Sequence, residues 1–352
     1  MKLLFFFLCA FLCVTSLFAK TITVSNNPNS PGQYTRLDSA ILAAASGDVL
    51  LVSGSPTDYA TAAGGTITVN KPLTLLGQGY APRSDQSVPS TVSYMHITAA
   101  GSGSTISGFL VTAQLYEDPG TNNIVITRCE INDLYNFVCY CDGVSGNNYD
   151  IRENIIGNIA IAANVGGIMI QNNIIYGSIG SQPASTGILI TNNYFSGSIG
   201  LNGVYAGLYN ATVSNNIFYY KSASSTASYA TATNCSFADN LYYNTSSANP
   251  FGIGVNNNTG SGNLSGNPQF VSISLTATTV VSTDNFNLQT GSLAINAGTD
   301  GKNLGPEGGS LPMQYPYTGQ PAIPQIQSML ISNSVIPPGG TLNVKFQASS
   351  NN

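Results

Sequence analysis

Nine of the 24 charged side chains beyond residue 19 fall between Glu117 and Glu153. They are Glu117, Asp118, Arg128, Glu130, Asp133, Asp142, Asp150, Arg152 and Glu153. Only 7% of the chain is charged, against about 25% in an ordinary soluble domain. Ionic chemistry is therefore concentrated in this one stretch. Asp118, Asp133 and Asp142 supply the oxygen ligands that Ca²⁺ prefers. The bland alternative is that these are solvated side chains, with Arg128 and Glu153 neutralising each other. Tyr176, Tyr219 and Tyr243 recur at one position of a repeat, and exposed flat rings are platforms for the apolar face of a pyranose. Packing of the rings against one another accounts for them equally well. The sole histidine, His96, has no acidic neighbour nearby in sequence and reads as a structural side chain.

Other chemistries find little support. Ten lysines and arginines scattered over 352 residues make no basic stripe, so no nucleic-acid partner is expected. No Gly-rich loop opens a helix, and no His/Cys spacing suggests zinc. Beyond residue 19 the cysteines are Cys129, Cys139, Cys141 and Cys235. Cys235 stands five repeats after Cys129, roughly 24 Å away at strand spacing. That is beyond the ~7 Å Cα separation a disulfide tolerates. Cys129 is expected to pair with Cys139 or Cys141, and Cys235 to be a buried free thiol.

The elements that position these groups follow from the repeat. Segments such as Ile168–Ile175 and Ile188–Phe195 share one pattern. Their sixth positions are Cys129, Asn154, Asn173, Asn193, Asn216 and Asn240, separated by 25, 19, 20, 23 and 24 residues. This period is too short for a βαβ unit of about 30 residues and suits one coil of short strands. The inward residues are Ile126, Ile151, Ile170, Ile190, Val213 and Phe237, then Ile131, Ile156, Ile175, Phe195, Phe218 and Tyr242 after the turn. Asn suits the turn because it tolerates the left-handed conformation. Stacked coils place the asparagines in a ladder, each amide bonding to the next. The expected fold is an all-β parallel β-helix, a solenoid, rather than a β-sandwich.

The ends are also legible. Leu3 to Val14 is an apolar run of 12 behind Lys2, too short to span a bilayer. Residues 1–19 are read as a secretory leader cut after Ala19, with no transmembrane anchor in what remains. Thr35-Arg-Leu-Asp38 resembles a capping box. Leu37, Ala40, Ile41 and Ala44 then share one face of a short helix that ends at Gly47 and plugs the first coil. Prolines from Pro312 mark a linker. Two strands, Ser328 to Ser334 and Thr341 to Ala348, are expected to form a hairpin lid over the C-terminal end.

Leu37 to Val52, Pro72 to Gly79, Ser104 to Val111, Asn267 to Val271 and Gly291 to Gly298 together resemble secreted right-handed parallel β-helix proteins of the pectin-lyase-like superfamily. The resemblance covers residues 20–308, leaving 309–352 as Pro-rich linker and hairpin. It implies the right hand of the coil. It is weak for function, because that fold hosts lyases, hydrolases and adhesins. The resemblance implies a uronate lyase reading, with Arg128 or Arg152 as base and Ca²⁺ as the enolate stabiliser. The scarcity of Lys and Arg places first a secreted or cell-surface protein that binds extracellular polysaccharide without catalysis and requires no cofactor. A lyase, or a purely structural or adhesive surface protein, is the alternative.

Overall fold

The computed structural model describes residues 19–60, 65–80, 88–137, 146–197, 207–220, 231–245, 247–277, 279–332, 335 and 338–349. The leader expected at residues 1–19 lies almost wholly outside them. No helix among the described residues is long and apolar enough to cross a membrane.

The chain winds into a parallel β-solenoid of about eight turns. Two 11-stranded sheets run along it. The first begins at Thr21–Val24 and ends at Thr259–Ser261; the second begins at Thr66–Val69 and ends at Leu264–Ser265. The register is the one the repeat demands. Ile126, Ile151, Ile170, Ile190, Val213 and Phe237 are successive partners in the first sheet. Ile131, Ile156, Ile175, Phe195, Phe218 and Tyr242 are successive partners in the second. All but Tyr242, which is half-buried, are closed off inside the coil. Phe195 and Phe218 stack at 4.9 Å. Each such side chain contributes about 1.5–3 kcal/mol by leaving water.

The corner between the sheets carries the asparagine ladder. Asn154 N–H donates to Asn173 Oδ1 at 2.9 Å, and the bond repeats from Asn173 to Asn193 to Asn216 to Asn240. Each Nδ2 also donates into the coil before it, as from Asn193 to the Ile170 carbonyl at 2.8 Å. The left-handed residue is not the ladder asparagine but its predecessor. Arg128, Glu153, Asn172, Asn192 and Asn215 have φ of 55°, 56°, 52°, 55° and 60°. One expected task of the turn is thus divided between two neighbouring residues.

The helix forms at Leu37–Ala43 with Leu37, Ala40 and Ile41 buried against the first strands. Its N-cap is Arg36, which makes no side-chain cap bond. The expected capping box is not formed, because Asp38 is bound instead by Arg36 Nη2 at 2.6 Å and by the Ser39 N–H at 2.7 Å.

The C-terminal segment departs most from expectation. The coils stop at Ser265, and Phe270–Ser272 and Asn285–Leu288 pair as a short antiparallel ribbon. Residues 292–321 then run back along the outside of the second sheet as a strap. Gly305 N–H donates to the Asn215 carbonyl, Asn172 Nδ2 donates to the Pro306 and Gly308 carbonyls, and Arg128 Nη1 donates to the Gln320 carbonyl. Pro321 reaches Gly108. The hairpin that follows, Gln325–Ile331 with Val344–Ser349, forms as an antiparallel pair. It leaves the strap beside the early coils, so it is not a lid over the C-terminal end. The Pro-rich stretch is packed strap, not free linker, because an apolar column on the solenoid's outer wall needs cover.

Candidate functional site

That outer column is the residue after each ladder position. Leu110, Glu130, Ile155, Ile174, Tyr194, Ile217, Leu241 and Leu264 are consecutive partners in the second sheet, all facing out. Phe270, Phe286, Ala294, Leu304 and Met313 cover it and form a second core outside the coil. The signal was present in the repeat: an apolar residue stands on both sides of the turn, and only one of them can point inward.

The antiparallel ribbon before the strap decides the fate of the tyrosines. Tyr219 is only 7% exposed, its ring 5.3 Å from Tyr243 and 5.9 Å from Phe270. Tyr176 and Tyr243 are half-buried against the same core. The expected exposed ring platform is therefore corrected for Tyr219, which is covered because Phe270 and Phe286 close over the column.

The charged cluster is dispersed into separate tasks. Arg128 Nε donates to Glu153 Oε2 at 2.6 Å, between adjacent coils, and Arg128 also holds the strap. The pairing read from the repeat is formed. A guanidinium committed to both a carboxylate and a backbone carbonyl is a clamp, and the position offers no free base. Asp118 Oδ1 lies 2.8 Å from His96 Nε2, and the His96 ring stacks on Tyr116 at 4.6 Å. The acidic neighbour missing from the sequence around His96 is supplied by the next coil. Among the described residues no three His, Cys, Asp or Glu side chains converge as metal ligands. The side chain of Asp133 and the whole of Asp142 lie outside the described residues, so of the expected Ca²⁺ ligands only Asp118 is placed, and it faces His96.

Glu117 points into the coil, where the Tyr149 hydroxyl stands beside its carboxyl group. Burial pushes its carboxyl well above the ordinary range. Cys129 is a free buried thiol; Cys139 and Cys141, its expected partners, lie outside the described residues. Cys129 Sγ donates to the Thr127 carbonyl at 3.3 Å and its N–H donates to Asn154 Oδ1. The thiol therefore occupies the first rung of the ladder, facing inward. Cys235 is free and buried, as expected.

Arg152 is the exception to this structural employment. On the outer face of the first sheet, Ser107, Thr127, Arg152, Gln171, Thr191 and Ser214 are successive register partners. Beside them runs Val125, Asp150, Met169 and Leu189. Arg152 Nη1 sits 3.3 Å from Asp150 Oδ2, and Gln171 Nε2 is 3.5 Å from Asp150 Oδ1. The strap stands at the edge of this face. Its end, at Pro321, Ala322 and Ile323, forms one wall of a cleft of about 240 Å³ whose floor holds Thr105, Thr127 and Arg152. The face thus offers a line of hydroxyl and amide groups about 4.8 Å apart, with one cation within it. No protein-family model matches the chain, and no curated protein matches it.

Proposed function

We propose that the protein is a secreted or cell-surface β-helix of the right-handed, pectin-lyase-like kind that binds an extracellular polysaccharide without catalysis. The contact face is the open outer face of the first sheet. One observation carries the reading: the in-register polar column through Thr127, Arg152, Gln171 and Thr191 stays half-exposed while the outer column of the second sheet is covered. A regular row of donors and acceptors fits a polymer of regular repeat. Arg152 in the cleft fits a glycan carrying carboxylate or sulfate groups. The tyrosine column has no part in this surface.

Binding without turnover is favoured because Arg128 is a strap clamp and Arg152 faces a carboxylate partner. The test is titration calorimetry of the purified protein against a panel of acidic and neutral polysaccharides, with ultraviolet absorbance followed in parallel. Binding to an acidic member that falls at least tenfold in Arg152→Ala, with Tyr243→Ala unchanged, supports the reading. No binding across the panel leaves the structural role. A rise in absorbance from unsaturated uronate replaces binding with elimination.

A further inference from the structure

The covered column has one charged member, Glu130, in register between Leu110 and Ile155. A carboxylate at a position otherwise held by Leu, Ile or Tyr is costly unless it is paired. Glu130 has no hydrogen-bond partner among the described residues, and burial alone pushes its carboxyl above the ordinary value. The strap does not press onto it. Between Glu130 and the strap lies a partly open cleft of about 510 Å³, lined also by Tyr80, Ile155, Val281, Pro316 and Tyr317.

The walls are rigid and the charge is one-sided. The Tyr317 hydroxyl donates to Glu307 and accepts from the Phe286 N–H at 3.0 Å, which fixes the ring. Gly319, at φ 67°, passes so close to Tyr80 that a Cβ there would sit 2.2 Å from the ring. Among the described residues no lysine or arginine lines the cleft. Its second carboxylate, Asp284, accepts the Ser274 and Val281 N–H groups at 2.6 and 2.9 Å and is occupied. Arg128, whose charge reaches Tyr80 from behind, is bound to Glu153. What remains is an apolar, aromatic-walled cavity within the size range of small-ligand sites, with one unpaired acceptor at its floor.

We propose that this cleft binds an organic ammonium ion. The N⁺–H donates to the Glu130 carboxylate, and the apolar body packs against Ile155, Val281 and Pro316 with the rings of Tyr80 and Tyr317. A carboxylate can only accept, so a neutral hydroxyl supplies a weaker bond than a charged amine. Aromatic walls add cation–π attraction. An anionic ligand is repelled. The site is on the opposite sheet from the polysaccharide face, and its occupancy does not depend on that reading.

The test is calorimetric titration of the protein with phenethylammonium and with 2-phenylethanol, its neutral isostere. The ammonium should bind at least tenfold more tightly than the alcohol. Glu130→Gln should remove at least tenfold of that affinity. Glu130→Leu, which matches the neighbours Leu110 and Ile155, should abolish ammonium binding while the melting temperature holds or rises, separating lost recognition from lost fold. Affinity should fall as the pH is lowered and Glu130 takes up a proton. Equal binding of the two probes, no binding of either to the wild-type protein, or unchanged ammonium binding in Glu130→Leu overturns the assignment.

Discussion

Arg128 and Glu153 occupy equivalent positions of successive coils, both left-handed at φ 55° and 56°, and are joined at 2.6 Å. In the next three coils the same position is Asn172, Asn192 and Asn215, and each of these bonds the returning strap. The ion pair is therefore the early-coil version of a fastening that asparagine performs later. It explains why two of the chain's few charges are spent on a half-buried pair.

Removing that fastening should loosen the strap and leave the coil intact. Arg128→Ala is expected to cost about 2 kcal/mol, the scale of a charged hydrogen bond with a partner left behind. Limited proteolysis should then cut within residues 292–323 before any cut in the coils. Unchanged protection of the strap would show that its apolar contacts alone hold it.

The two asparagines of one turn should behave differently. Asn193 accepts from Asn173 N–H, and its Nδ2 donates to the Ile170 and Thr191 carbonyls. Asn193→Ala strips several buried backbone groups at about 1–3 kcal/mol each and should lower the denaturation midpoint sharply or prevent folding. Asn192→Gly keeps the left-handed turn at little cost and loses its bonds to the Asn303 carbonyl and the Thr191 hydroxyl. Its midpoint should shift by less than about 1 kcal/mol. Equal losses would mean that the ladder carries no special share of the stability.

Stability should fall as the pH rises from acid to neutral. Burial raises Glu307 from 4.5 to about 7 and holds Glu117 well above the ordinary carboxyl range. A folded-state value above the unfolded one means that the native state binds more protons. The stabilisation is full below the unfolded value and is lost as pH climbs through the folded value. For Glu307 the window runs from 4.5 to about 7. Glu307→Gln should remove part of this slope, on the order of 2 kcal/mol after solvent screening. Glu117→Gln should raise the melting temperature above pH 7. Melting curves taken at half-unit pH steps decide both; a flat profile in the wild-type protein would refute them.

The buried thiols should be inert. Burial pushes the Cys129 thiol up to about 12 and raises that of Cys235, so neither supplies thiolate near neutral pH. Iodoacetamide followed by peptide mass spectrometry should label both only after unfolding. Labelling of Cys129 in the native protein would show that the first rung of the ladder opens.

Much of this molecule is periodic, and its periodic parts were readable. Ile170 and Ile175 had to face inward because strands alternate and the turn at Asn172–Asn173 resets the alternation. The repetition of that pattern at 19 to 25 residues specifies a coil, its inward columns and its ladder. Even the pairing of Arg128 with Glu153 follows from their matched positions. The division of work between Asn172 and Asn173 was hidden, since two identical side chains differ only in backbone conformation.

The sequence by itself determined the solenoid, because every coil repeats the same short-range constraint and each repeat confirms the last. Only the tertiary structure decided which outer face is open. The strap meets the coils through contacts such as Asn172 with Pro306 and Arg128 with Gln320, separated by 134 and 192 residues. Such contacts leave no period to detect. They clamp Arg128 and leave Arg152 half-exposed on the other face and Glu130 over a cleft, because one returning segment can cover only one wall of the coil.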